Sequence, residues 1–168
     1  MEPCRRPGWG DHVSANPTDR GKPGTKRSVM VEADGGPVSV VLAGASVPDL
    51  RLLEATVEAL IVPRPRPTAD QPQHLCLDKG YDAITADEVV AQYGYCGHIR
   101  RRGEATVPRE GRTHPPHRWV VERTLAWLSK CRSILVRYAK KAINYLAMIQ
   151  LACILLWYRR LDRLTVLR

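Results

Sequence analysis

Two acidic residues stand where phosphoryl-transfer chemistry could use them. Asp78 closes a short apolar run, His74-Leu75-Cys76-Leu77, just ahead of Lys79-Gly80-Tyr81. Such a run predicts a buried strand whose end fixes the carboxylate while the following loop exposes it. The same Asp can equally be a turn former that binds neighbouring amides. Glu122 lies in Arg118-Trp119-Val120-Val121-Glu122-Arg123-Thr124-Leu125-Ala126-Trp127-Leu128. Residues 121, 125 and 128 form one apolar stripe at helical spacing, with Glu122 at its edge and Arg118 one turn earlier. At that edge Glu122 can face a site or pair with Arg118 on a solvated face. Two divalent ions about 4 Å apart can activate a water or hydroxyl and stabilise a leaving oxygen. Mg²⁺ takes hard oxygen ligands and keeps several waters, so a few carboxylates from separate elements suffice. Spacing alone leaves open whether Asp78 and Glu122 converge.

The elements that would position them follow from pattern. Residues 1–27 are rich in Gly, Pro and basic side chains without apolar periodicity, the composition of a loop or arm. Two strand-like runs, Ser28 to Ala33 and Pro37 to Ala43, flank Asp34-Gly35-Gly36, a hairpin signal. Apolar residues 52, 53, 57 and 60 predict a helix from Asp49 to Leu60, with Asp49 after Pro48 as its N-cap. A proline-rich connection, Pro63 to Gln73, leads to the Asp78 strand. A helix over Thr85 to Tyr93 and a strand over Tyr95 to Arg100 come next. Beyond a basic Pro/Gly-rich stretch to His117, helices are predicted over Arg118 to Lys130 and Ala142 to Leu161, the last mostly buried. This order implies a mixed sheet with helices packed on it.

The chain has 168 residues, enough for one domain with a core, and 44% of them are hydrophobic. Its 26 Lys and Arg against 17 Asp and Glu give a formal net charge of +9. A surplus of that size favours polyanions, above all nucleic acid, through counterion release. The 5 cysteines form no C-x-x-C pair and mostly sit in apolar stretches, which reads as buried free thiols of a cytosolic protein. The N-terminus lacks the apolar core of a signal peptide. The run Ile143 to Trp157, interrupted by Asn144 and Gln150, is short for a membrane span.

From Asn16 onward the chain resembles the insertion-sequence transposases with a DDE catalytic core. Asn16 to Arg27 is similar to the basic segment after that family's first catalytic strand. Gly44-Ala45-Ser46-Val47-Pro48-Asp49 resembles its G-A-N-x-x-D element. Leu77-Asp78-Lys79-Gly80-Tyr81-Asp82 resembles the D-K-G-Y motif that bears the second catalytic Asp. Arg118-Trp119-Val120-Val121-Glu122-Arg123-Thr124 resembles the R-x-x-x-E core that supplies the catalytic Glu.

The resemblance implies an α/β, ribonuclease-H-like mixed sheet with flanking helices, incomplete at the N-terminus. Residues 1–27 would be a basic arm and 28–168 a partial catalytic domain. It implies metal-dependent DNA cleavage and joining, with Asp78 and Glu122 as catalytic residues ligating Mg²⁺ or Mn²⁺. Arg118 would contact phosphate or orient Glu122. The loop position of Arg100, Arg101, Arg102, Arg109 and Arg112 suits a clamp on the DNA backbone, or a solvated basic loop, and Lys130, Arg132, Arg137, Lys140 and Lys141 would extend the patch. The implied partners are transposon ends, target DNA, and further copies of the chain or a complete transposase, in the bacterial cytoplasm at the nucleoid, without a membrane.

Three positions depart from the family pattern. Pro115 replaces a Tyr three residues before the Arg. Ser129 replaces a Lys or Arg seven residues after the Glu, with Lys130 one step on and about 100° around the helix. The first catalytic Asp, expected on a strand ahead of Asn16, has no counterpart in Met1 to Ala15, and the N-terminal DNA-binding region is likewise expected to be missing. The first expectation is therefore a DDE domain that binds DNA and Mg²⁺ but is catalytically impaired as a lone chain, and its rivals are a non-catalytic DNA-binding or oligomerising remnant and a product with no present role.

Overall fold

The structure, a computed structural model, describes residues 10–101, 103 and 118–166. Its order is β1 (Ser14–Ala15), β2 (Pro23–Val31), β3 (Pro37–Gly44), a 3₁₀ turn (Asp49–Leu52), α1 (Leu53–Glu58), β4 (His74–Leu77), a second 3₁₀ turn (Lys79–Tyr81), α2 (Ile84–Gln92), β5 (Cys96–Ile99), α3 (Arg118–Leu128), α4 (Arg132–Leu135) and α5 (Ala142–Val166). Strands β1, β2 and β3 form an antiparallel sheet in that order, and β4 pairs with β5 in parallel. The result is a mixed α/β protein with helices flanking its sheets.

The predicted hairpin is present. Val29 faces Val40, and the turn between Val31 and Pro37 carries Gly35 at φ 91°. Helix α3 presses on this turn. Thr124 Oγ1 donates to Gly35 O at 2.7 Å, and Arg123 donates to Asp34 O. A side chain on Gly35 would lie 2.9 Å from the Arg123 guanidinium and 3.1 Å from Thr124 Oγ1. Glu32 closes the turn from inside by accepting from the Asp34 and Gly36 amides at 3.0 and 2.8 Å, and it pairs with Arg160 of α5 at 2.6 Å. Burial pushes its carboxyl up, but the two amides and the guanidinium outweigh that and hold it below the usual carboxylate range.

Two cores lie on opposite faces of the hairpin. One joins Leu42 of β3 to Leu128, Ile134, Tyr145, Ile149 and Ala152 from α3, α4 and α5. The other joins Leu53 and Val57 of α1 to Leu75 of β4 and Ala86 and Val90 of α2. Between them the hairpin is tied to α1 by Ser39 Oγ donating to Thr56 O at 2.6 Å, and by Thr56 Oγ1 and Ser28 Oγ at 2.7 Å.

Several expectations need correction. Strand β2 begins at Pro23, five residues before the predicted Ser28, because Gly24 and Thr25 pair with Ser14 and Gly44 although they carry no apolar alternation. Pro48, not Asp49, caps the 3₁₀ turn, and it does so without a side-chain bond; Asp49 takes Lys26 Nζ at 3.1 Å instead. The buried stripe of α3 is Val120, Thr124 and Leu128: Leu128 is as predicted, while the other two lie one residue before the predicted 121 and 125, because the Thr124 hydroxyl has carbonyl partners that let it go inside. The free thiols Cys76 and Cys96 are exposed, since Leu75 takes the inward side of β4 and the alternate residues face away. Helix α5 is not mostly buried. Only 22% of Ala142–Asp162 is covered, and Leu151, Ile154, Leu155, Tyr158 and Leu161 face outward, because β3, α3 and α4 cover one side alone. By length and composition that stretch could cross a membrane, yet Tyr145, Ile149 and Ala152 within it belong to the core.

The turn geometry makes a graded prediction. Gly35→Ala incurs both the left-handed backbone and the collision with α3, costing about 1–3 kcal/mol, whereas Gly21→Ala, at φ 72° with nothing within 4 Å, incurs the backbone cost alone. Urea unfolding midpoints should fall further for Gly35→Ala than for Gly21→Ala.

Candidate functional site

Strand β4 delivers Asp78 to the surface. Leu75 is buried and Leu77 packs beside it against α1 and α2, so the strand's end is fixed. Asp78 follows in extended backbone, φ −82° and ψ 176°, and caps the next turn by accepting from the Gly80 amide at 2.8 Å. Both sequence readings of this residue therefore hold together: it is a turn former and the exposed carboxylate of a strand end. Beside it, burial pushes the Tyr81 phenol up to about 12, with the charges of Asp49 and Asp78 adding to the effect.

Asp78 lies at the rim of a trough of about 800 Å³ that runs between β2 and β4, with Tyr81 and Asp49 near it and Val120, Val121 and Leu125 of α3 on one wall. Glu122 is exposed on the first turns of α3. At about 100° per residue it stands one step from Val121 and about 60° from Leu125, on the side of the helix away from the buried Thr124, and it is not among the residues that line the trough. Ser129 falls within about 20° of Glu122 on the same reckoning. Arg27 of β2, another trough residue, donates from Nη2 to Ser129 Oγ at 3.3 Å. A guanidinium is thus brought to the helix position where the family pattern has a basic residue. Sequence reading missed Arg27 because its partner is 102 residues away.

The basic residues divide. Arg100 and Lys130 are exposed. Arg101 forks onto two carboxylates, Nη1 on Asp82 at 3.0 Å and Nη2 on Asp87 at 2.7 Å, which balance its charge locally and raise its pKa. Arg137, expected in the patch, is instead spent inside: it donates to Thr25 Oγ1 at 2.6 Å and to the Ala139 and Lys140 carbonyls at 2.9 Å. Arg118 opens α3. Arg102, Arg109 and Arg112 lie outside the described residues.

Asp78 and Glu122 offer hard oxygens from two elements, the donor type Mg²⁺ takes together with phosphate oxygens and water. Among the described residues no group of three or more His, Cys, Asp or Glu side chains forms a metal cage. The donors fit a hard cation in kind, as a pair.

The class this defines is a mixed α/β protein with one carboxylate at a strand end that lines a trough and another exposed on the helix that walls it. Comparison makes it specific. The transposase DDE domain family matches residues 3–157. The chain is also 32% identical over 160 residues to a Burkholderia cepacia protein named as transposase for insertion sequence element IS402, covering 92% of this chain and 73% of that one. The chain belongs to the DDE transposase family. No solved structure matches it.

Tyr81 reports on the Asp78 charge. A phenol pKa raised by folding contributes stability that is fully present below the unfolded value and lost as pH rises through about 12. Asp78→Asn keeps an acceptor for Gly80 but removes the last of the three causes of the shift, so one phenol should ionise at somewhat lower pH in an ultraviolet difference titration, and the alkaline loss of stability should shrink, moving unfolding to higher pH.

Proposed function

We propose that the chain carries out the strand cleavage and transfer steps of DNA transposition on a ribonuclease-H-like core, with Asp78 and Glu122 holding a divalent cation, Mg²⁺ or Mn²⁺. The observation that supports this reading is the trough that Asp78 lines together with Val121 and Leu125 of the helix that bears Glu122, Glu122 itself standing outside the lining. When bound, the cation supplies charge stabilisation at the attacking and leaving oxygens of a phosphodiester. The chain's own residues do the rest. The Gly80 amide fixes the Asp78 carboxylate, and the bonds from α3 to the hairpin turn fix the backbone that bears Glu122. Arg118, Arg100, Arg102 and Lys130 take backbone phosphates, and such contacts position DNA without reading its sequence. Arg101 joins them only by leaving Asp82 and Asp87. The substrates are transposon ends and target DNA, handled by a soluble cytoplasmic protein at the nucleoid, alone or with further copies.

Two measurements test the site. In Mn²⁺ titrations followed by electron spin resonance, Asp78→Ala and Glu122→Ala should each remove the binding phase seen with the parent chain. In cleavage of a labelled element end, each should lower the rate about 10²-fold, the scale of a misplaced reacting group, while leaving DNA retention intact. Cleavage and metal binding indifferent to both substitutions would sink the assignment.

The DNA surface has its own test. Lys130→Ala should weaken retention of every duplex alike and reduce the slope of log affinity against log salt by about 1, whereas Arg137→Ala should lower stability before it lowers that slope.

A further inference from the structure

Strands β4 and β5 share a face that the proposed reaction does not use. They pair in parallel, with His74 beside Cys96 and Cys76 beside His98. Successive side chains of a strand point to opposite faces. Leu75, Leu77 and Ile99 turn inward to the core with α1 and α2, and a side chain on Gly97 would meet Val90 at 3.0 Å. His74, Cys76, Cys96 and His98 therefore stand together on the outward face. Both thiols are free and exposed there, and His74 is exposed with them. The chain holds 5 His and 5 Cys, and the four outward positions of this short ladder take two of each. Cys96 and His98 lie outside the lining of the trough at Asp78.

The four positions mark a rectangle of about 4.8 Å between strands and about 6.6 Å along them. Its diagonal, about 8 Å, keeps Cys76 and Cys96 too far apart for a disulfide, whose Cα atoms lie within about 7 Å. The centre, about 4 Å from each Cα, is within reach of all four side chains. Two imidazoles have already met there: His74 Nδ1 and His98 Nε2 are 2.8 Å apart, with ring centroids at 4.9 Å. Two nitrogens on one tetrahedral Zn²⁺, at about 2.05 Å each, stand about 3.3 Å apart, so ring movement of about 0.5 Å turns this contact into a pair of ligands. No three of the four side chains meet in a cage as they stand. Completing one takes a rotation of each exposed thiol about χ1, between staggered wells.

The geometry points to a second metal site, on the outward face of β4 and β5, where His74, Cys76, Cys96 and His98 hold one borderline-soft transition ion such as Zn²⁺. Its donors set it apart from the carboxylates, since thiolate and imidazole suit Zn²⁺ or Co²⁺ whereas Mg²⁺ takes hard oxygens. Both sulfurs bind as thiolates, their two protons passing to water, and each imidazole keeps its proton on the nitrogen that does not bind. Four protein ligands leave no open position, which makes the site structural rather than catalytic. Its ion clips together two four-residue strands that have only each other as sheet partners among the described residues, and a lone pair of strands is marginal in water.

The test uses the reduced, untagged 168-residue chain with Co²⁺ as an optical stand-in for Zn²⁺, and with neither DNA nor Mg²⁺ present, so its outcome is independent of the cleavage assay. One Co²⁺ per chain should give sulfur-to-cobalt charge-transfer absorption and the strong visible bands of a tetrahedral ion. One equivalent of Zn²⁺ should erase both, and excess Mg²⁺ neither. Cys76→Ser and Cys96→Ser should each weaken binding at least about 10-fold, the low end of what loss of even an outer-shell partner costs. His98→Gln should do the same without touching a thiol, with His74→Gln in reserve, each variant's fold checked by near-ultraviolet circular dichroism. Cys131→Ser and Cys153→Ser should leave the spectrum as it was. In the parent chain Zn²⁺ should raise the urea midpoint and slow amide exchange at 75–77 and 97–99. A cobalt spectrum without the sulfur band, a band that survives loss of both Cys76 and Cys96, or a urea midpoint indifferent to Zn²⁺ overturns the site.

Discussion

Helix α3 meets the hairpin turn through a patch a few side chains wide, and the position of Glu122 depends on it. Thr124 and Arg123, the two residues that follow Glu122, donate to successive carbonyls of the turn, Gly35 and Asp34. Two successive carbonyls of the turn are thereby tied to α3, and the carboxylate on the preceding residue is left exposed. The contact is close because Gly35 has no side chain and adopts a backbone that other residues avoid. A buried threonine with satisfied bonds is what permits a polar residue on the inner stripe of α3.

Around that contact the charges are arranged in two ways. Some cations are consumed by the fold: Arg101 on Asp82 and Asp87, Arg160 on Glu32, and Arg137 on Thr25 and two carbonyls. Lys130, by contrast, is exposed at the surface. The net charge of +9 therefore overstates what a polyanion would meet on any one face, and the field at the carboxylates is set by position more than by total.

How much of this was legible in the sequence follows from the range of each interaction. The hairpin, the strand ending at Asp78 and the helix bearing Glu122 rest on local signals: glycines after an Asp, a short apolar run before a glycine turn, apolar residues at helical spacing. Their boundaries moved by one to five residues where pairing overrode composition, as at Pro23. Four motifs, through family resemblance, singled out Asp78 and Glu122 as the candidate pair. What escaped was long-range. Nothing near Ser129 announces that Arg27 reaches it, and nothing in the Arg101 neighbourhood distinguishes an ion-paired arginine from a DNA-facing one. The burial of Thr124 and the bareness of one side of α5 depend on what lies opposite, which periodicity does not encode.

The closing pieces of the hairpin turn arrive late in the chain. Thr124 lies 89 residues beyond Gly35, Trp157 donates to Pro37 O across 120 residues, and Arg160 reaches Glu32 across 128. During vectorial synthesis at roughly 5–20 residues per second, the hairpin emerges several seconds before the helices that cap it. Its β3 face, destined for α5, waits through that interval without its cover. Until Thr124, Trp157 and Arg160 have cleared the exit tunnel, the hairpin turn has no lid, a state open to chaperones and proteases.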